Sequence, residues 1–150
     1  MDEIIKTILA KIPTIMTNTS LSESFYEMVL NRLVSFGYEL KEDDSWILCF
    51  ATQKVENHIK NFCNITAVPN GLYHVAVDMV CGEFLFGKKQ TGQLVIADLD
   101  LTGAIQQISE GDTSVTFVSG ASDEEKFNQM IQHLMSKGEG DFICFRKLRW

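Results

Sequence analysis

The segment from residue 72 to residue 86 is apolar on almost every side of the helix that its spacing predicts. Its apolar residues include Leu72, Tyr73, Val75, Ala76, Val77, Met79, Val80, Phe84 and Phe86. A surface helix keeps a polar face towards water, so a helix that is apolar most of the way round is central or is shared with a neighbouring subunit. We expect this helix to organise the fold and to end at residues 87–89, a glycine and two lysines.

Two helices with single apolar stripes are predicted ahead of it. Residues 2–12 place isoleucine and leucine on one side, and Pro13 is expected to end this helix because proline disfavours helical geometry in the residue before it. The next helix follows a capping box of Ser20 and Glu23, in which the hydroxyl and the carboxylate satisfy free backbone N–H groups. Gly37 is expected to end it.

Two further helices are predicted around the central one. The first begins behind residues 42–45, whose acidic side chains suit the positive end of a helix dipole. Its predicted buried stripe is Ile47, Ala51, Val55, Ile59 and Phe62. The last helix follows a second capping box, Ser122 and Glu125, and is expected to end at Gly138.

Between the last two helices the residue pattern favours strands. Residues 104–109 and 113–118 flank Glu110-Gly111-Asp112, and two β-leaning runs around a short link with glycine predict a hairpin over about residues 104–118. Its polar composition suggests an exposed arm, which needs support because two strands alone are marginal in water. The expected fold class is mainly α: a small bundle of about five helices with an inserted β-hairpin arm and an extended C-terminal tail, residues 139–150.

The length of 150 residues suits one domain, and 45% hydrophobic content is enough for one core. We expect a single domain over residues 1–150, with a helical body formed by residues 1–90 and 122–137. The acidic N-terminus and the short apolar runs predict neither a secretory signal nor a membrane span, so the chain is expected to be made in the cytoplasm. The four cysteines form no C-x-x-C pair and are interpreted as buried, reduced thiols.

The net charge of −7 is unevenly distributed along the chain. Residues 90–125 contain seven acidic residues and no lysine or arginine, whereas the chain ends with the basic and aromatic run Phe145-Arg146-Lys147-Leu148-Arg149-Trp150. Such an uneven distribution of charge can simply reflect solvated surface. Alternatively, it orients neighbouring subunits or repels a polyanion.

The sequence gives little support to catalysis or cofactor binding. It contains no phosphate-binding loop, no nucleophile elbow and no metal-ligand spacing around its three histidines, His58, His74 and His133. Cys81 lies in the apolar helix without a neighbouring base and is interpreted as a packed thiol. We therefore expect no enzyme, no metal and no cofactor. The acids at residues 42–44, Asp98 and Asp100 leave cation binding as a weaker alternative to helix-capping surface.

Residues 46–118 resemble the head–tail connector (adaptor) proteins of long-tailed bacteriophages and related prophages. The resemblance lies in residues 55–65, 68–72, 75–80 and 108–117, and its most specific part is Ser109-Glu110-Gly111-Asp112-Thr113-Ser114. The ending Arg146-Lys147-Leu148-Arg149-Trp150 is also similar to that of such proteins. Residues 1–20 and 92–103 lie outside the resemblance.

The resemblance implies a non-enzymatic structural subunit of the phage neck in the virion. Copies of the chain, commonly twelve, would form a ring between the portal protein at the capsid vertex and a tail terminator or other neck protein. DNA would pass through the ring without sequence-specific binding. The resemblance also implies assembly contacts through the arm, at Glu110, Gly111, Asp112, Thr113 and Ser114, and through the tail, at Arg146, Lys147, Arg149 and Trp150. No membrane partner is implied.

Two other functions remain open from the residues alone. A small regulatory domain could bind nucleic acid through the basic C-terminal tail, although the helices carry no cluster of lysine or arginine for reading a groove. A metal-dependent enzyme would rest only on scattered acids and histidines. Salt-dependent DNA binding would favour the first, and metal in the purified protein would favour the second.

Overall fold

The computed structural model describes residues 3–16, 19, 21–104, 122–136, 142 and 145–146. Five α-helices of more than ten residues lie in this part of the chain: α1 (Glu3–Ile15), α2 (Glu23–Ser35), α3 (Asp44–Cys63), α4 (Tyr73–Gln90) and α5 (Asp123–Ser136). Short 3₁₀ turns at Asn70–Leu72 and Ile96–Asp98 join them. The expectation of a helical bundle is thus confirmed. None of the described helices is long and apolar enough to cross a bilayer.

Helix α4 is the centre of the bundle. It packs against α2, α3 and α5, while α1 closes the bundle across α2 and α3. Phe84 and Leu85 are completely buried, and Val77, which interrupts a simple amphipathic pattern, is buried too. Gly82 allows α5 to come close, because a Cβ atom there would lie 2.8 Å from Met135 Cγ. The prediction of a central helix at residues 72–86 is confirmed, and most of its apolar side chains are buried within one chain; Phe86, at 41% exposed, is the exception.

The prediction that Pro13 ends the first helix is wrong. Helix α1 continues through Pro13 to Ile15, and the Met16 N–H still bonds to the Ile12 carbonyl at 2.9 Å. Proline inside a helix removes one hydrogen bond, but its side chain is exposed here. Ile15 and Met16 pack against the core, and the Tyr26 hydroxyl lies 3.3 Å from Met16 Sδ. These tertiary contacts explain the extra turn.

The two ends of α2 differ in how well the sequence predicted them. The helix begins at Glu23 with Ser22 as its N-cap, so the predicted Ser20–Glu23 capping box is misplaced. Its other end is as predicted: Gly37 has φ of +89°, and the Tyr38 N–H bonds back to the Leu33 carbonyl. At α5 one of the two hydrogen bonds of the second capping box is confirmed: the Glu125 N–H donates to the Ser122 hydroxyl oxygen at 3.2 Å.

The predicted fold class is wrong in its inserted β-hairpin. The structure has no strand in the part of the chain that it describes, and Ala104, the predicted start of the hairpin, belongs to a helical turn over residues 101–104. Asp100 explains this turn, since its carboxylate accepts from the Gly103 N–H and its carbonyl from the Ala104 N–H. The rest of the predicted arm, residues 105–118, lies outside the described residues.

Candidate assembly surface

The outward side of α3 carries two exposed aromatic residues. Trp46 is 58% exposed and Phe50 is 66% exposed, one helical turn apart. Exposed uncharged residues continue the same side of the helix towards its C-terminal end. We call this surface the aromatic ridge; it consists of Trp46, Phe50, Gln53, Asn57 and Asn61.

The inward side of α3 explains why the ridge faces water. Leu48, Val55 and Ile59 are buried in the core at helical spacing, and that spacing turns the ridge residues away from it. The ridge carries no charged side chain, whereas charged residues make up 22% of the chain. Exposed aromatic residues on an uncharged strip are typical of the centre of a protein–protein contact rather than of solvated surface.

Ion pairs border the ridge on both sides. The Lys54 ammonium group lies 3.2 Å from Glu83 of α4, and the Lys11 ammonium group of α1 lies 3.6 Å from Glu42. Beside the second pair, Lys11, Glu42 and Trp46 line a shallow depression together with the end of α1. The arrangement is an apolar strip with a polar rim.

Helix α2 presents a second exposed surface of low charge. Met28 is 42% exposed and Val34 is 45% exposed. Three small polar residues lie with them on the outward side of the helix, with Glu27 half-buried among them. We call this surface the α2 face; it consists of Ser24, Met28, Asn31, Val34 and Ser35.

The C-terminal tail returns to the end of α3. Phe142 is completely buried, with ring centroids 5.5 Å from Phe62 and 6.0 Å from His58. The Cys63 thiol lies 3.5 Å from the Phe142 carbonyl oxygen. Phe142 therefore docks the described part of the tail against the end of α3.

The predicted contact residues are described only in part. Arg146 is exposed, and its guanidinium lies 5.5 Å from the centre of the Phe62 ring, a cation–π contact. Lys147, Arg149 and Trp150 lie outside the described residues, as do Glu110, Gly111, Asp112, Thr113 and Ser114. Of the predicted arm and tail residues, the structure therefore describes the position of Arg146 alone.

A buried ionic cluster was missed from the sequence. Asp44 and Lys88 are almost fully buried, and the Lys88 ammonium group lies 2.6 Å from Asp44 Oδ1. Asp44 Oδ2 accepts from the Tyr38 hydroxyl and from the Lys41 N–H, both at 2.9 Å, while Lys88 also donates to Gln93 Oε1. Sequence analysis placed Asp44 and Lys88 at solvated helix ends. The cluster fastens the start of α3 to the end of α4.

Burial also determines the state of the thiols. Cys49, Cys63 and Cys81 are free and buried, which confirms the interpretation for these three; Cys144 lies outside the described residues. Burial raises the pKa of Cys49 to about 11 and raises the pKa of Cys81 well above its ordinary value. Both stay protonated thiols at neutral pH, which disfavours attack by either sulfur.

Other sites for chemistry are not visible in the described ranges. There, no three His, Cys, Asp or Glu side chains lie close enough to share a metal ion. The aromatic ridge and the α2 face are accordingly the candidate contact surfaces of the described residues. In comparisons with known proteins, no family model, no curated protein and no solved structure matched the chain significantly.

Proposed function

We propose that the chain is a structural subunit of the neck of a long-tailed phage or a related particle. Copies form a ring that joins the portal to the tail and lets DNA pass. The observation that carries the proposal is the aromatic ridge, where Trp46 and Phe50 stay exposed on one side of α3 with ion pairs at its borders. Burying such a side chain against a partner stabilises the complex by roughly 1.5–3 kcal/mol, which favours assembly over the monomer.

The resemblance supports the same proposal through the elements on which it falls. Residues 55–65 form the second half of α3 and the turn after it, and residues 75–80 form the buried start of α4. Because α3 packs on α4, these segments support the ridge from the buried side. The resemblance thus falls mainly on the elements beneath the proposed contact surface.

Surface charge is compatible with a DNA passage. Asp98, Asp100 and the acids at residues 123–125 are exposed, and the chain has a net charge of −7. Acidic surface repels phosphate, so DNA would slide past without sticking. Binding of duplex DNA by the assembled ring at low salt would speak against a passage.

A direct test begins with the genes beside the one for this chain; if one of them encodes a portal protein, that portal protein is purified together with the chain. Light scattering and negative-stain imaging should reveal rings at high protein concentration or on the portal. Free chain that is monomeric in dilute solution is expected, since a ring contact repeated on a platform is stronger than the same contact alone. A chain that stays monomeric at millimolar concentration and ignores both portal and tail proteins would contradict the proposal.

A second function is nucleic-acid binding through the tail, favoured by the exposed position of Arg146. Replacing Arg146, Lys147 and Arg149 by glutamine keeps the aromatic residues that dock the tail. Loss of a steeply salt-dependent affinity for duplex DNA in this variant would support the second function. Absence of binding by the unaltered chain at low salt would dismiss it.

A further inference from the structure

The described residues of the C-terminal tail pack on the end of α3 mainly through their side chains. The Phe142 ring lies against Phe62, and the Arg146 guanidinium lies over the same ring. Phe145 lies on the turn before α4, where a Cβ atom on Gly71 would be 2.6 Å from the Phe145 ring. Within the described ranges, no backbone hydrogen bond joins these tail residues to the five helices. We call Phe142, Phe145 and Arg146 the tail strap.

The tail strap is anchored chiefly by one residue. Phe142 is completely buried, whereas Phe145 is only partly buried and Arg146 is exposed. The surface beneath the strap is peripheral, since Phe62 stays 36% exposed and Gly71 is exposed with the strap in place. A segment held by few buried contacts opens at a lower free energy than the core unfolds. The strap can therefore leave α3 while the bundle stays folded.

One buried thiol lies directly beneath the strap. Cys63, the last residue of α3, is completely buried, and its thiol donates to the Phe142 carbonyl oxygen at 3.5 Å. Cys81 is completely buried too, but its thiol lies 3.7 Å from the Val29 carbonyl oxygen, between α4 and α2. Lifting the strap uncovers Cys63, whereas uncovering Cys81 requires α2 and α4 to separate. The two thiols therefore report on different openings of the same chain.

We propose that the tail strap is a releasable closure, which docks over the end of α3 and opens without unfolding the helices. In the closed state it covers Cys63, and in the open state the Cys63 thiol and the Phe142 ring reach solvent. The closure is an autoinhibitory contact, because neither the Phe142 ring nor the surface beneath it is accessible to a partner until the strap opens. Opening and closing are properties of the single chain. Only their use, to free the tail for a neck partner, rests on the proposed function.

The test compares how fast N-ethylmaleimide alkylates Cys63 and Cys81, each read separately by mass spectrometry of peptides. Dilute protein is used, so that assembly does not contribute. When a site opens and closes faster than the reagent reacts, the alkylation rate follows the population of its open state. We expect Cys63 to react at least about tenfold faster than Cys81. Low urea should change the Cys63 rate little and raise the Cys81 rate steeply, because the urea dependence follows the surface area that each opening exposes.

Two variants loosen the strap, and a third is the matched control. Phe142→Ala removes the anchor and should speed the alkylation of Cys63 by at least about tenfold, because a buried phenylalanine side chain is lost. Arg146→Gln removes a cation–π contact at an exposed position and should speed it by roughly two- to fivefold. Phe50→Ala makes the same substitution on the same helix away from the strap and should leave the rate unchanged. Circular dichroism will show whether each variant keeps its helical fold.

Three outcomes would overturn the proposal. Equal rates with equal urea dependence at Cys63 and Cys81 would show that the strap opens only when the whole chain unfolds. Reaction of Cys63 at the rate of the unfolded chain would show that the strap is not docked in solution. Acceleration of Cys63 by Phe50→Ala as large as that by Phe142→Ala would show that the effect is not local. These rates do not depend on ring formation, so a chain that forms no rings would refute the neck function and leave the strap in place.

Discussion

Replacing Lys88 by methionine should be among the most destabilising single changes of a charged residue in this fold. The side chain is 2% exposed, and methionine fills similar space without the charge. Asp44 would keep the Tyr38 hydroxyl and the Lys41 N–H but would lose its only described cationic partner. Removing one member of a buried ion pair costs about 3–5 kcal/mol, because the remaining charge stays buried without compensation.

The expected loss is large against the total. A domain of this size unfolds with about 5–15 kcal/mol, and each kcal/mol lowers the melting temperature by about 2–4 °C. Lys88→Met should therefore melt roughly 6–20 °C below the unaltered chain. Urea unfolding followed by circular dichroism at two or more protein concentrations would measure the free energy and exclude effects of self-association.

Two companion variants make this reasoning refutable. Lys89→Met changes the neighbouring lysine, whose partner Glu124 is 68% exposed, and should cost less than about 1 kcal/mol. Adding Asp44→Asn to Lys88→Met removes the uncompensated charge and should recover part of the loss. A Lys88→Met variant no less stable than Lys89→Met, or a double variant less stable than the single one, would show that the pair is not energetically coupled.

Three further predictions concern the core. Gly87→Ala should stabilise the folded chain by up to about 1 kcal/mol, because no atom lies within 4 Å of the new Cβ atom. Gly82→Ala should destabilise it, because the new Cβ atom would collide with Met135. Thermal melts of both variants would measure the two effects, and equal melting temperatures would contradict the packing. Burial raises the pKa of Tyr26 from 10.0 to about 12, so the folded state holds its proton longer, and stability is full below pH 10 and falls as the pH rises towards 12. Tyr26→Phe should flatten that decline in urea titrations, and an unchanged slope would refute the assignment. Cys81 should react with a thiol reagent only as fast as the chain unfolds, and reaction within the dead time in native buffer would contradict its burial.

The sequence predicted those parts of the fold that depend on helical periodicity. The burial of most of α4 follows from its composition, although Phe86 near its end is 41% exposed. The apolar stripes of α1 and α2 largely match buried residues such as Ile8 and Phe25, but Met28, which belongs to the predicted α2 stripe, is exposed. Pro13 was misjudged because local propensity is a weak influence once Ile15 and Met16 have core to pack on. The prediction of a strand beginning at residue 104 was wrong at that residue, because Asp100 caps a helical turn over residues 101–104.

Contacts between side chains that are far apart in the sequence could not be predicted from residue patterns. The acid at residue 44 suits a helix dipole and the lysine at residue 88 suits the opposite helix end, so each has an adequate local explanation. Only the antiparallel packing of α3 on α4 brings them within 2.6 Å and out of water. The same applies to Phe142, which is far from His58 and Phe62 along the chain and packs on both.

The aromatic ridge was missed although its signal was present. The predicted stripe of α3 contained Ile47, which is only partly buried, and Phe62, which is exposed. It gave no role to Trp46 and Phe50, which lie outside it. Two aromatic residues one turn apart on the wet side of a helix are a stronger signal than either one alone, because scattered apolar residues are normal on protein surfaces.

The fluorescence of Trp46 provides a last and separate check on the ridge. The chain has two tryptophans, so a Trp150→Phe background leaves Trp46 as the single reporter. Because Trp150 is itself an expected tail contact, sedimentation must first show that this background assembles like the unaltered chain. At 58% exposure in the single chain, its emission should resemble that of a solvated indole and should move to shorter wavelength as the protein concentration rises and the ridge becomes covered. Phe50→Glu in the same background should abolish the concentration dependence, and Ala10→Glu, which adds the same charge at an exposed position of α1 outside the ridge, should retain it. Emission that stays constant while sedimentation shows assembly would place the contact elsewhere on the chain, since a covered ridge cannot leave this indole in water.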